Sequence, residues 1–125
     1  MRNQKFSIRK RIESFGFAFN GLKILIRDEH NSWIHLFAVF CVIIAGVFFK
    51  ISVSEWISVV FAFGFVIALE IVNSAIENIT DFVSPERHEM IKKIKDLAAA
   101  AVLLAAITAF IIGLIIFLPK ILELC

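Results

Sequence analysis

The stretch WISVVFAFGFVIALEIVNSAIENITD, Trp56–Asp81, governs the reading of this chain. From Trp56 to Leu69 it is almost wholly apolar, and then Glu70, Asn73, Ser74, Glu77 and Asp81 enter at near-helical spacing. At 100° per residue these five fall within an arc of about 100°, so one helix face turns polar over several turns while the opposite face stays apolar. A rise of 1.5 Å per residue carries the polar face about 16 Å from Glu70 to Asp81. The run from Trp56 to about Ile79 reaches the roughly 20 residues needed to cross a hydrocarbon core. Carboxylates inside such a span cost on the order of several kcal/mol each unless paired, protonated or metal-bound, so intramembrane acids point to function.

Two further apolar runs flank this one, Trp33–Phe49 and Leu97–Leu118. A hydrophobic content of 60% and a mean hydropathy of +0.90 exceed what a 125-residue soluble domain can bury. Of the 13 Lys and Arg residues, Arg2, Lys5, Arg9, Lys10, Arg11, Lys23 and Arg27 precede the first run, and Arg87, Lys92, Lys93 and Lys95 lie between the second and third. Three crossings put both basic segments on one side, which the positive-inside rule makes cytoplasmic. Ahead of the spans, Ile8, Ile12, Phe15, Phe19, Leu22 and Ile26 form one helical stripe among basic residues, as in a helix lying in the membrane interface. Gly16 and Gly21 weaken that helix by about 1 kcal/mol each and invite a bend. The expected fold is an all-α membrane protein of one domain, 1–125: a surface helix over 1–30, transmembrane helices over 33–49, 56–79 and 97–118, and a cytoplasmic N-terminus.

Hard carboxylate oxygens suit Mg²⁺, which takes one or two protein carboxylates and completes its shell with phosphate oxygens and water. An acidic face at the lipid–water boundary therefore suits a phosphate-handling site that reaches a lipid hydroxyl from one side and a nucleotide from the other. The chain has no G-x-x-x-x-G-K-[ST] loop and no protein-kinase signature set, so helix-borne side chains would have to hold a nucleotide. His30, His35 and His88 lack the spacing of a zinc motif, and Cys41 and Cys125 are expected to be free thiols. A net charge of +2 gives no field for nucleic acid. From pattern alone Glu29, beside Asp28, reads as well as a solvated charge, and Lys92 and Lys93 as well as an orienting patch that meets anionic lipid.

The run EIVNSAIENITD, 70–81, followed by SPERHEMIKKIKDLAAAAVLLAA, 84–106, resembles the signature of the prokaryotic diacylglycerol kinase and undecaprenol kinase family. SFGFAFNGLKILIRDEHNSWIH, 14–35, is similar to that family's surface helix, and IIGLIIFLP, 111–119, to its undecaprenol kinase branch. The resemblance implies a homotrimeric lipid kinase of the bacterial cytoplasmic membrane, with ATP as co-substrate and Mg²⁺ as cofactor. It implies Glu70 as catalytic base toward the lipid hydroxyl, Asn73 as a residue that orients the reacting groups, and Glu29 and Glu77 as ligands of the ATP-bound metal. Glu86, Arg87, His88, Lys95 and Asp96 match its nucleotide positions. On the surface helix Lys10, with Arg11 beside it, stands where many relatives carry Arg, and Phe17 replaces a Tyr. The competing readings are a small proton- or cation-conducting oligomer with the acidic face lining a pore, and a lipid phosphatase, for which no nucleophile near paired His and Arg is evident.

Overall fold

The computed structural model describes residues 7–86 and 88–125, and the regular structure among them is helical throughout. Four helices follow one another: α1 Ile8–Asp28, α2 His30–Phe49, α3 Val53–Val83 and α4 Glu89–Leu124. The last three are long and apolar enough to cross a membrane. α3 and α4 outrun their apolar cores because helical hydrogen bonding continues into the polar flanking residues. Helical structure in α1 runs unbroken through Gly16 and Gly21.

Each chain reversal has a local cause. α1 starts at Ser7, whose hydroxyl accepts from the Lys10 amide, and stops at Glu29, whose backbone is extended. Side chains of the next helix add donors to the carbonyls around that stop. Ser32 Oγ donates to the carbonyls of Leu25 at 3.1 Å and Glu29 at 2.6 Å, and Trp33 Nε1 donates to the carbonyl of Ile26 at 2.9 Å. α2 ends on Lys50, in the left-handed region at φ 53°, a conformation that costs a non-glycine residue roughly 1–2 kcal/mol. Part of that cost is offset by the Ile51 amide donating to the Gly46 carbonyl at 3.1 Å. A capping box then opens α3: the Glu55 amide donates to Ser52 Oγ, and the Ser52 amide to Glu55 Oε1.

The main packing is α3 against an antiparallel α4. Lys120 Nζ meets Glu55 Oε2 at 2.8 Å at one end of the pair, and Lys95 pairs with Asp81 at the other. Buried Ala98 and Ala105 let the backbones approach, as small residues do in lipid. Toward the Lys50 turn, Ile51, Val59, Ile116 and Phe117 form a buried apolar cluster that Val42, Phe49 and Trp56 extend. Gly46 belongs to this packing, since a Cβ there would stand 2.5 Å from the Trp56 ring. α2 lies more loosely on the α3–α4 pair and leaves an apolar cleft of about 410 Å³, bounded by His35, Val39, Val66, Ala109, Gly113 and Phe117 among others. Phe37, Phe61, Leu103 and Ile115 are each more than 60% exposed, an outer surface suited to lipid or to neighbouring subunits.

Candidate active site

Helical spacing puts Glu70, Asn73, Ser74 and Glu77 on the α3 face that meets the α1–α2 junction. Glu70 is 5% exposed. Its Oε2 has no hydrogen-bond partner among the described residues, and neither does Oδ1 of Asn73 nearly one turn further on. A buried acceptor left unmade costs about 1–3 kcal/mol, so two of them together mark a place that awaits a donor. The nearest cationic-capable group to the Glu70 oxygen is His35 Nε2, 3.6 Å away and beyond hydrogen-bond range.

Ser74 ties this face to the start of the chain: its hydroxyl donates to Glu29 Oε1 at 2.7 Å across 45 residues of sequence. The extended backbone of Glu29 thus both ends α1 and delivers a carboxylate to α3. Glu77, one turn beyond Ser74, is half-buried, and its carboxylate takes no hydrogen bond or ion pair from the described residues. Glu29 keeps its second oxygen in the same condition. These hard, incompletely satisfied oxygens fit Mg²⁺. No group of three or more His, Cys, Asp or Glu able to hold a metal occurs among the described residues.

A second polar cluster lies at the α3–α4 connection, where Asp81, Ser84, Glu86, His88, Lys92, Lys95 and Asp96 line a cleft of about 320 Å³. Lys95 is paired with Asp81, and Lys92 with Asp96 at 2.7 Å. His88 Nδ1 accepts from the Met90 amide at 3.0 Å and caps α4, while Ser84 Oγ donates to the Glu86 carbonyl at 3.2 Å. Glu86, His88, Lys95 and Asp96, expected at a nucleotide, therefore share one cleft. Arg87 lies outside the described residues.

Lys10 and Phe17 are not brought to either cluster through α4, which α1 does not touch among the described residues. At 1.5 Å per residue they stand about 27 and 17 Å up the α1 axis from Asp28. The geometry brings His35, Asp81 and Lys92, which had no site role from sequence alone, to these clusters. Asp81 had its place on the polar arc as a signal, and His35 its polarity within an apolar run. The pairings of Asp81 and Lys92 needed the folded loop.

Comparison with known proteins finds relatives over most of the chain. The model of the family described as prokaryotic diacylglycerol kinase matches residues 16–117. The chain is 34% identical over 119 residues to the undecaprenol kinase of Bacillus subtilis, covering 95% of this chain and 97% of that one. It is 36% identical over 112 residues to the diacylglycerol kinase of Synechocystis sp., covering 89% and 64%. To the diacylglycerol kinase of Haemophilus influenzae it is 34% identical over 111 residues, covering 85% and 91%. With three helices able to span a membrane, a buried carboxylate awaiting a partner and a charged cleft at the helix ends, this chain belongs to the prokaryotic diacylglycerol kinase family of lipid kinases.

Proposed function

We propose that the protein transfers the γ-phosphoryl group of ATP in line to the hydroxyl of undecaprenol, giving undecaprenyl phosphate and ADP; diacylglycerol, giving phosphatidic acid, is the second choice. The observation that carries this reading is Glu70, a buried carboxylate with an unpartnered oxygen, one turn from the Ser74 hydroxyl that holds Glu29. Glu70 takes the proton of the lipid hydroxyl as its oxygen attacks the γ-phosphorus and the bond to the β–γ bridging oxygen breaks. Asn73 Oδ1 accepts from the reacting groups and orients them. Glu29 and Glu77 would hold Mg²⁺, which when bound neutralises charge on the phosphate oxygens. The adenine nucleotide lies toward the loop cleft, against Glu86, His88, Lys95 and Asp96.

The apolar cleft that begins at His35 and runs to Phe117 gives the lipid chain a path away from Glu70. Similarity to the Bacillus undecaprenol kinase over nearly the full length of both chains favours the polyprenyl alcohol. The two basic segments support an orientation with this end of the bundle at the cytoplasmic face of a bacterial inner membrane, and the exposed apolar stripe of α1 suits a helix that rests on the bilayer. The positions of Lys10 and Phe17 far up α1 from Glu29 suit contacts with a neighbour's nucleotide within a homotrimer. Purified protein in mixed micelles, offered undecaprenol and 1,2-diacylglycerol separately with Mg-ATP, should phosphorylate both, undecaprenol with the higher kcat/KM. A higher kcat/KM for diacylglycerol would overturn the lipid assignment. Phosphorylation of neither, with ATP-independent cation flux in liposomes, would overturn the kinase mechanism in favour of a conducting pore.

A further inference from the structure

His35 is the one ionisable side chain that α2 carries between His30 and Phe49 apart from the Cys41 thiol. It is 24% exposed, it borders the apolar cleft, and its Nε2 stands 3.6 Å from the unpartnered Oε2 of Glu70. The imidazole therefore occupies the point at which the path for the lipid chain meets the buried carboxylate.

A neutral imidazole offers one N–H donor and one acceptor. The gap to Oε2 exceeds an N–H···O hydrogen bond by about half an ångström, a difference closed by a small torsion of either side chain. Catalytic hydrogen bonds are often long in the unliganded state and tighten when substrate arrives. A carboxylate has two oxygens, and a base works best when its reacting oxygen cannot rotate away from the proton. A donor on Oε2 holds the plane of the group and leaves Oε1 for the substrate. No described side chain donates to Oε2.

We propose that His35 is the positioning residue of Glu70, donating from Nε2 to Oε2 in the substrate complex so that Oε1 faces the lipid hydroxyl. This rests on the reading of Glu70 as the base. It asks nothing of His35 in contact with the reacting atoms: the proton passes from the hydroxyl to Oε1, and the imidazole keeps its own.

The alternative is that His35 only fills space beside the cleft, and donor chemistry separates the two. His35→Leu and His35→Ala remove the N–H at different volumes, whereas His35→Gln keeps an amide N–H donor. With radiolabelled ATP and the purified protein, His35→Leu and His35→Ala should both lower kcat about 10–100-fold, the usual loss for an orienting partner, with KM for Mg-ATP within about twofold. His35→Gln should return kcat to within about fivefold of wild type. In a Glu70→Gln background, His35→Leu should lower the residual rate by less than about twofold, because the group it orients is already gone. Wild-type kcat in both donorless variants would overturn the proposal. So would equal losses in the Leu and Gln variants, or an undiminished effect of His35→Leu in the Glu70→Gln background. If Glu70→Gln alone retains turnover, the base assignment fails and the proposal with it. If Glu70→Gln is inactive while His35→Leu and His35→Ala turn over normally, the base stands and His35 alone is removed.

Discussion

The two ends of the helical bundle are built on opposite terms. At the Lys50 turn the chain closes its polar accounts: Ser52 and Glu55 cap each other, Lys120 satisfies Glu55, and the Ile51 cluster with Gly46 against Trp56 fills the space between helices. At the end bearing the basic loop the same helices carry Glu70 and Asn73 with buried acceptors unmade and Glu77 without a partner among the described residues, and a cleft lined by charge. A fold that can satisfy its polar groups at one end and leaves them open at the other has reserved the second for something outside the chain. The packed end is suited to carry stability, and the open end to meet the proposed substrates.

Breaking the open end should destroy turnover without unfolding the protein. Glu70→Gln, which keeps the shape and removes the proposed base, should cut kcat about 10³-fold while Mg-ATP binding, followed with a fluorescent nucleotide, changes by less than about threefold. A kcat within tenfold of wild type would show that the proton leaves by another route. Glu77→Gln should raise KM for Mg-ATP about 10–100-fold and shift the Mg²⁺ requirement upward; an unaltered metal titration would remove Glu77 from the metal. Ser74→Ala strips the donor from Glu29. A hydrogen bond to a charged group contributes about 1.5–3 kcal/mol, so about a tenfold rise in the Mg²⁺ concentration for half activity is expected, and no rise would mean that Glu29 keeps its place unaided.

Breaking the packed end should do the reverse. Gly46→Ala sets a methyl against the Trp56 ring and should cost about 1–3 kcal/mol, read as a lower melting temperature in detergent, with kcat at permissive temperature within about twofold. Loss of turnover without loss of stability would mean that the two ends are not separable. Lys120→Ala removes a half-buried ion pair far from the acids and should lower the melting temperature by less than Gly46→Ala does, with kcat unchanged. A larger shift than that of Gly46→Ala would make the ion pair, not the packing, the main fastening of this end.

Much of the architecture was legible before any coordinates. The three membrane-length helices follow from apolar run length, and the polar arc on α3 from a period that any helix must obey. The helix limits were less legible, because α4 begins at Glu89, well ahead of the apolar run at Leu97, where His88 supplies a cap that hydropathy does not register. The site residues were legible as a list but not as a constellation. Nothing in the local pattern separates Glu29 from the solvated charge of its neighbour Asp28; only the Ser74 hydroxyl, 45 positions later, does so. His35 carried only the signal of a polar residue in an apolar run.

Helix, span and polar face are thus properties of the sequence itself, since they depend on neighbours a few residues apart and on the cost of apolar surface in water. Which acid is paired, which oxygen stays unmade and which end of the bundle is left open depend on contacts between residues tens of positions apart. Those were decided by how α2 and the Glu29 junction settle on the α3–α4 pair.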